Sequence, residues 1–503
     1  MSVKLSQIES QISGATLYGH DVVVNGISHD SRKIVPGFAY AAVRGATKDG
    51  TDFIPSAIAR GATALIVAEK YRSLAELSSD IPILFVPSVR QSLGRISCMV
   101  YDNPSANLDL VGITGTNGKT TTSFLLDSAL TSASFRTGLI GTIEFRSANR
   151  RTPSAFTTPE APDLQALLAE LANNSVDVVS MEVSSHGIDQ GRIDGTFFKI
   201  GIFTNLTPEH LDYHGTIEQY FYTKAKLFSP DRCGYGIVNV DDPWGQRLVS
   251  QMQIPYVTFG TSQFADYRIT DVKVSDDGTQ FNLVHDQITY ALSTKIIGAL
   301  NAMNATAAYL GALKLGADPG LAALGISSCA SVSGRFQKID AGQPSLTVVD
   351  YAHTPDSIAD LIQTVRGLIP SNGRVFAVGG ARGGRDRLKR PSLGRALATS
   401  DLAIITTDSP GEEDPNDIIS QIVMGTLDMM PRHVHVEPDR VKAIEYGLSH
   451  AGPNDAVVIA GRGHETSIRV GSTQIHLDDR EVVQKTAEEL FGNSHQFLMA
   501  KGL

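Results

Sequence analysis

The stretch Gly112-Ile-Thr-Gly115-Thr-Asn-Gly118-Lys119-Thr120-Thr121-Thr122 constrains this chain more than any other. It follows the apolar run Leu108–Val111 and leads into residues 123–130, which read as a helix. Strand, glycine turn and helix in that order make a seat for a phosphate. Glycines let backbone N–H groups close on the oxygens, and the helix N-terminus favours the anion. Lys119 adds a positive charge and Thr120 offers a hydroxyl to magnesium. The spacing departs from G-x-x-x-x-G-K-[ST], because Gly112 lies one residue too far upstream and position 113 is Ile. The competing reading is a glycine turn beside an ordinary surface lysine; the flanking strand and helix speak against it.

A chain of 503 residues should hold several domains, and we expect three. Hydrophobic residues make up 42% and charged residues 19%, as globular cores require. A net charge of −10 argues against general nucleic-acid binding, so the phosphate logic is local. Cys98, Cys233 and Cys329 are scattered, with neither disulfide nor zinc spacing, which fits a reducing cytoplasm. The first residues lack the apolar core of a signal peptide and no apolar run is as long as a membrane span, so we expect a cytoplasmic protein with no membrane insertion.

Residues 1–107 read as a small α/β domain, with strands at 21–24, 38–43, 64–67 and 83–86 and helices near 53–60 and 90–101. Ser28-His-Asp-Ser31-Arg32 and Arg44-Gly45-Ala46-Thr47-Lys48 are polar loops able to hold a ligand, or plain turns. Residues 108–332 carry the phosphate loop and alternating strands and helices. Strand 176–183 delivers Glu182, Ser184 and His186, and strand 199–204 delivers Asn205 to Gly215. Ligands of parallel sheets collect at strand C-termini, so Glu182 and His210 suit a magnesium shell; a Glu/His pair capping helices is the alternative. Residues 216–228 read as a helix capped by Thr216 and carrying Lys224 and Lys226, which on spacing alone are two solvated lysines. Asn301 and Asn304 open an Ala-rich helix, either as its caps or facing a nucleotide base.

Residues 333–503 alternate again, with strands at 346–349, 375–378, 402–405 and 456–460, each ending in a polar turn. That pattern implies a doubly wound sheet with a crevice at the strand ends. Arg382, Arg385, Arg387, Lys389 and Arg390 put five cations within nine residues, an anion site or a solvated basic loop.

Together these motifs closely resemble the Mur ligases, and among them those that add the third residue of the cell-wall peptide. The resemblance rests on Asp30-Ser31-Arg32, the Gly115–Thr121 loop, Thr157-Thr158-Pro159, Met181–His186, Thr204–Gly215, Lys224, Gly334-Arg335, Asp350–Pro355, Arg385-Asp386 with Lys389-Arg-Pro391, and Gly461–Glu465. It implies an α/β chain of three domains: a UDP-binding domain, a central ATPase domain with a mainly parallel sheet, and a C-terminal Rossmann-like domain. It also implies ATP-dependent amide synthesis. ATP phosphorylates the D-glutamate side-chain carboxylate of UDP-N-acetylmuramoyl-L-Ala-D-Glu, and an incoming amine displaces the phosphate. Two anions must meet, so Lys119, magnesium and closing arginines have repulsion to offset.

By the same resemblance Thr120, Glu182, His210 and Lys224 hold metal, Lys224 as a carbamate derived from carbon dioxide. Gly115, Thr116, Asn117, Gly118, Lys119, Thr120, Thr121, Asn301, Asn304, Arg335, Asp350 and His353 serve the nucleotide. Ser31, Ala46, Thr47, Lys48, Thr157, Thr158, Ser184, Gln190 and Arg192 hold the UDP-sugar peptide. Arg385, Asp408, Ser409, Gly411, Glu412, Gly461 and Glu465 face the amino acid. The protein is expected to act as a monomer.

Relatives that use diaminopimelate look like D-N-P-R after the third C-terminal strand, where this chain has Asp408-Ser409-Pro410-Gly411-Glu412-Glu413. Glycine replaces the arginine and acids follow. An acidic lining suits an ammonium without a distal carboxylate, so we expect L-lysine, then L-ornithine, with diaminopimelate disfavoured. Arg382 also departs from the family's Gly-rich turn, which leaves its role open. The alternatives are a folylpolyglutamate-type ligase, against which the separate N-terminal domain speaks, and a catalytically silent nucleotide-binding paralogue.

Overall fold

The computed structural model describes residues 2–45, 48–77, 80–147, 150–427 and 434–499. Ala46 and Thr47, expected at the UDP-sugar, lie outside the described residues.

The architecture is α/β in three domains with mixed, mostly parallel sheets. The N-terminal sheet has five strands in the order Thr16–Tyr18, Ile83–Val86, Ala64–Ala68, Phe38–Ala41, Gly26–Ser28. All its pairings are parallel except that of Thr16–Tyr18. Its three inner strands are continuous apolar runs because both faces are covered. Ile66 and Leu84 pack with Val89, Leu93 and Ile96 of the helix Val89–Val100, while Leu65 and Phe85 pack with Ile54 and Ala57 on the other side. The strand expected at 21–24 shrinks to Val23–Val24, paired only with Val3–Lys4.

The central sheet has eleven strands. The strand Asp109–Thr114, which feeds the phosphate loop, lies between Val178–Glu182 and Ile200–Phe203, parallel to both. Glu182 and the segment after Thr204 therefore leave the sheet beside the loop. Val111 and Ile113 face Leu125, Leu126 and Ala129 of the helix Lys119–Ser132, and Ala305 and Ala308 of the helix Leu300–Lys314 complete that layer. Leu110 faces the opposite core with Phe198 and Leu164. The sheet continues into three strands, Tyr267–Ser275, Gly278–His285 and Ile288–Thr294, joined antiparallel to one another, which the sequence reading lacks.

The C-terminal sheet runs Gln337–Ile339, Leu346–Asp350, Ala456–Ala460, Val375–Gly379, Leu402–Ile405, Val434–Val436. Only the first pairing is antiparallel. The four expected strands are present, and their polar turns gather at the carboxyl edge. A hairpin, Ser467–Val470 with Thr473–His476, follows.

Candidate active site

The phosphate loop needs its glycines for space as well as conformation. Gly115 and Gly118 sit at φ +149° and +88°. A Cβ on Gly115 would lie 1.9 Å from Thr204 Oγ1, and one on Gly118 would lie 2.4 Å from Asn304 Oδ1. Lys119 Nζ folds back onto the loop, donating to Gly115 O at 3.0 Å and Thr116 O at 2.8 Å. Burial lowers its pKa, against the pull of Glu209 and Glu182. The Asn117 amide N–H donates to Asn205 Oδ1, and Thr204 Oγ1 donates to Asn117 O. The strand end at Thr204 thus fixes the loop's shape.

Thr120 Oγ1 donates to Glu182 Oε2 at 3.0 Å and accepts from Arg335 Nη2 at 3.0 Å. Glu182 is fully buried and also takes the Thr142 N–H and hydroxyl, at 2.8 and 2.9 Å. A carboxylate, a hydroxyl and an arginine from the C-terminal domain therefore meet beside Lys119.

Lys224 is 1% exposed, whereas Lys226 is exposed, so the solvated-lysine reading holds only for the second. The helix Ile217–Ala225 starts as expected, with Thr216 Oγ1 accepting from Gln219 N. Lys224 Nζ donates to Gly115 O at 2.8 Å and lies 4.7 Å from the Tyr220 ring. Burial and then the Lys119 charge push its pKa well below the usual lysine range, which favours a neutral amine.

His210 has a left-handed backbone, φ +57°, and its N–H donates to Asp386 Oδ2 across the domain boundary. Burial drops its imidazole pKa to about 3, so the ring is neutral and free to ligate. Ligand atoms of His210, Asp212 and Asp386 lie within 4.8 Å of one another. Oxygen and imidazole donors of this kind suit a hard divalent cation. Of the expected set Thr120, Glu182, His210 and Lys224, His210 belongs to this group, whereas Glu182 lies outside it, bonded to Thr120 and Thr142.

Glu209, unassigned by the sequence reading, is 4% exposed and holds the domains together. Its Oε1 lies 2.7 Å from His353 Nε2 and 3.8 Å from Lys389 Nζ. Burial opposes its charge, but His353, His210 and Lys389 outweigh it and hold the carboxylate well below its ordinary range. Asp350 is spent locally, accepting from Phe336 N and Ala352 N. Asn301 and Asn304 are not caps: the helix Leu300–Lys314 has Ala299 at its N-cap, Asn301 Nδ2 donates to Ile297 O, and Asn304 Oδ1 faces Thr122 Oγ1 at 3.3 Å.

A cavity of about 570 Å³ joins these groups. Its wall includes Thr116 to Thr120, Glu182, His210, Arg335, His353, Thr157, Thr158, Ser184, Gln190, Arg192, Arg385 and Asp408. Ser31, Lys48, Thr121, Lys224, Ser409, Gly411, Glu412, Gly461 and Glu465 are not part of that wall. Several expected substrate holders have protein partners. Thr158 Oγ1 donates to Glu182 O and accepts from Ser184 N, and Ser184 Oγ caps the helix Ser185–Asp189. Arg192 bonds Thr158 O, Gln190 and Glu160.

On the C-terminal domain's side of the cavity, the acids expected to line it around Asp408 are ion-paired with arginines. Asp408 pairs with Arg462 at 3.3 Å and lies 4.0 Å from Arg382. Glu465 pairs with Arg382, Glu413 with Arg387 and Arg390, and Glu412 with Arg469. Of the five cations between residues 382 and 390, only Arg385 has no ion pair among the described residues. Among the described residues Arg385 is thus the exposed, unpaired cation of this stretch on the cavity wall, which Arg382 and Lys389 share as ion-paired groups.

Three family patterns match the chain: Mur ligase family, catalytic domain, over residues 23–99; Mur ligase middle domain over 113–312; and Mur ligase, glutamate ligase domain, over 334–463. The chain belongs to the Mur ligase family. It is an ATP-dependent amide ligase of peptidoglycan synthesis. Among similar proteins, the UDP-N-acetylmuramoyl-L-alanyl-D-glutamate–2,6-diaminopimelate ligase of Streptomyces avermitilis is 39% identical over 97% of both chains. The enzyme of the same name from Geobacillus kaustophilus is 36% identical over 97% of this chain and 100% of its own. A solved structure of such a diaminopimelate ligase superposes with a TM-score of 0.65 at 31% identity, covering 97% and 99% of the two chains. A MurF ligase from Thermotoga maritima in complex with ADP shares the fold, with a TM-score of 0.65 at 20% identity, over 93% of this chain and 97% of its own.

Proposed function

We propose that this ligase joins meso-diaminopimelate to the D-glutamate side-chain carboxylate of UDP-N-acetylmuramoyl-L-Ala-D-Glu. The observation that carries the reading is the end-to-end likeness to diaminopimelate ligases. The pairing of Asp408, Glu412, Glu413 and Glu465 with arginines removes the acidic lining on which the lysine expectation rested. One feature still favours lysine as a second reading: residue 411 is glycine, where the family resemblance leads one to expect an arginine in a diaminopimelate user.

In this reading residues 1–107 hold the UDP end, 108–332 hold ATP and 333–503 bring the amino acid. The glutamate carboxylate attacks the γ-phosphorus of ATP, ADP leaves, the amine attacks the acyl carbon, and phosphate departs. Lys119 and Arg335 offset the charge where the two anions meet, and Asn304 stands beside the loop. Arg385 takes the α-carboxylate of the incoming amino acid. These groups are preset on strand ends, so little reorganisation is left for the reacting state.

Thr120, Glu182, His210, Asp212 and Asp386 would hold magnesium, which supplies charge neutralisation on the phosphates. Lys224 is suited to carbamate formation. A buried neutral amine attacks carbon dioxide, a C–N bond forms as a C=O π bond opens, and one proton leaves the nitrogen, giving an anionic oxygen ligand in place of a neutral amine. The protein would act as a cytoplasmic monomer.

The test is a transfer assay. Purified protein receives the UDP-dipeptide, ATP and magnesium, with diaminopimelate, lysine or ornithine offered separately, and the nucleotide product is weighed. Product heavier by one diaminopimelate residue supports the reading. Product with lysine alone overturns the acceptor but keeps the ligase. No product with any acceptor moves the reading to a silent nucleotide-binding paralogue.

A further inference from the structure

We infer that Arg382 reads the far carboxylate of the acceptor amino acid, in the role for which position 411 has no side chain. The inference rests on the diaminopimelate reading above and adds the residue that makes it possible.

Gly411 is at φ +59°, where an arginine would be strained. Its backbone is also committed to the following hairpin: its N–H donates to Arg469 O at 2.9 Å, and its carbonyl accepts from Gly471 N at 2.6 Å. A Cβ built on Gly411 meets nothing within 4 Å, so the place beside it is open.

The loop that carries Arg382 lies directly against this segment. Gly383 N donates to Ser409 O at 3.0 Å, and a Cβ on Gly383 would fall 1.7 Å from Pro410 O. Buried Arg390 donates to Arg382 O at 3.1 Å and steadies the backbone. Arg382 is on the cavity wall, its side chain one-third exposed at 33%. The arginine that one loop lacks is thus supplied by the loop beside it.

The partners of Arg382 define the ligand chemistry. Its guanidinium pairs with Glu465 and lies 4.0 Å from Asp408, which Arg462 already neutralises. Arg382, on the cavity wall, and its ion-pair partner Glu465, which is not, are one cation and one anion side by side, open to exchange with a ligand that carries both charges. That is the complement of a second amino-acid centre, with its own carboxylate and ammonium. A lysine ε-ammonium would use the glutamate and leave the arginine without an anion. Diaminopimelate satisfies both, and bidentate pairing gives the arginine its selectivity.

The experiment compares diaminopimelate, its far-end amide and lysine as acceptors for wild type, Arg382→Lys and Arg382→Gly, with KM and kcat read separately and melting curves recorded. We expect wild type to prefer diaminopimelate over its amide. Arg382→Gly should raise KM for diaminopimelate roughly tenfold or more with little change in kcat, as when a charge-assisted hydrogen bond to the bound substrate is removed. Preference over lysine should narrow by the same factor, and Arg382→Lys should fall between. A preference unchanged in both variants, with wild type still using diaminopimelate, overturns the inference and leaves the proposed reaction standing. Failure of wild type to use diaminopimelate at all overturns the reaction and the inference with it. If Arg382→Gly does not fold, Arg382→Lys and the amide comparison decide.

Discussion

At the level of single residues, Lys224 makes the sharpest demand. A lysine that is 1% exposed and beside a second lysine is costly as an ammonium, so its position calls for a chemical reason. Removing the amine by Lys224→Ala should abolish transfer, and a small carboxylate added to the assay should restore part of it. Wild-type turnover in the unsupplemented variant would exclude the carbamate. Sequence spacing could not separate Lys224 from Lys226; the resemblance singled out the first, and burial gives the physical ground. Glu209 sits inside the Thr204–Gly215 motif with no role legible along the chain, because its partners His353 and Lys389 lie far away in sequence. The opposite error concerns Asp408 and its neighbours. Counting acids along the chain suggested a negative pocket, but arginines from three places in the chain, residues 382–390, Arg462 and Arg469, pair with them.

Among the elements, those around the phosphate loop were the most legible, since a strand, two crowded glycines and a helix each leave a local mark. The antiparallel strands Tyr267–Ser275, Gly278–His285 and Ile288–Thr294 were missed although their signal is local too: exposure alternates along Tyr267–Ser275, and Asp276-Asp277 makes a two-residue turn between the paired Ser275 and Gly278. The cap alternative for Asn301 and Asn304 failed because a cap is fixed by backbone geometry, which places it earlier, at Ala299.

The turn Gly461–Glu465 carries a pH consequence. Burial lowers the His464 pKa to about 4, with Arg335, Arg480 and Arg382 reinforcing it. Its Nδ1 is buried without a hydrogen-bond partner, and Tyr351 covers the ring at 5.2 Å. The opposing charges are few: Asp478 alone raises the pKa among the leading influences. In the unfolded chain the ordinary value is 6.5, so the unfolded state takes up a proton first as pH falls. The stability linked to this group is therefore complete above 6.5 and declines as pH drops toward about 4. Denaturant unfolding across that window should show a steeper loss for wild type than for His464→Gln. Parallel slopes would remove His464 from the account.

For the molecule as a whole, the C-terminal domain is docked on the central one by a short set of contacts. Arg335 reaches Thr120, Asn117 Nδ2 lies 3.4 Å from Thr354 Oγ1, Asp386 accepts from His210 N, and Glu209 meets His353 and Lys389. Inter-domain contacts of this sort are few enough to open and close. Glu209→Ala leaves His353 and Lys389 facing each other without their shared anion. The variant should show a larger radius of gyration by small-angle scattering and a loss of turnover, with its melting temperature near that of wild type. An unchanged radius would mean that Glu209 does not hold the domains.

The Gly115 carbonyl has a consequence for what can enter this site. An amide oxygen offers two lone pairs, and Lys119 and Lys224 take both. A compound that brings an amide or amine donor to the loop finds its natural acceptor saturated. A compound that brings an acid or a phosphate mimic meets the hydrogen that Lys119 has to spare. Chemistry aimed at this loop should therefore begin from anions rather than from hydrogen-bond donors.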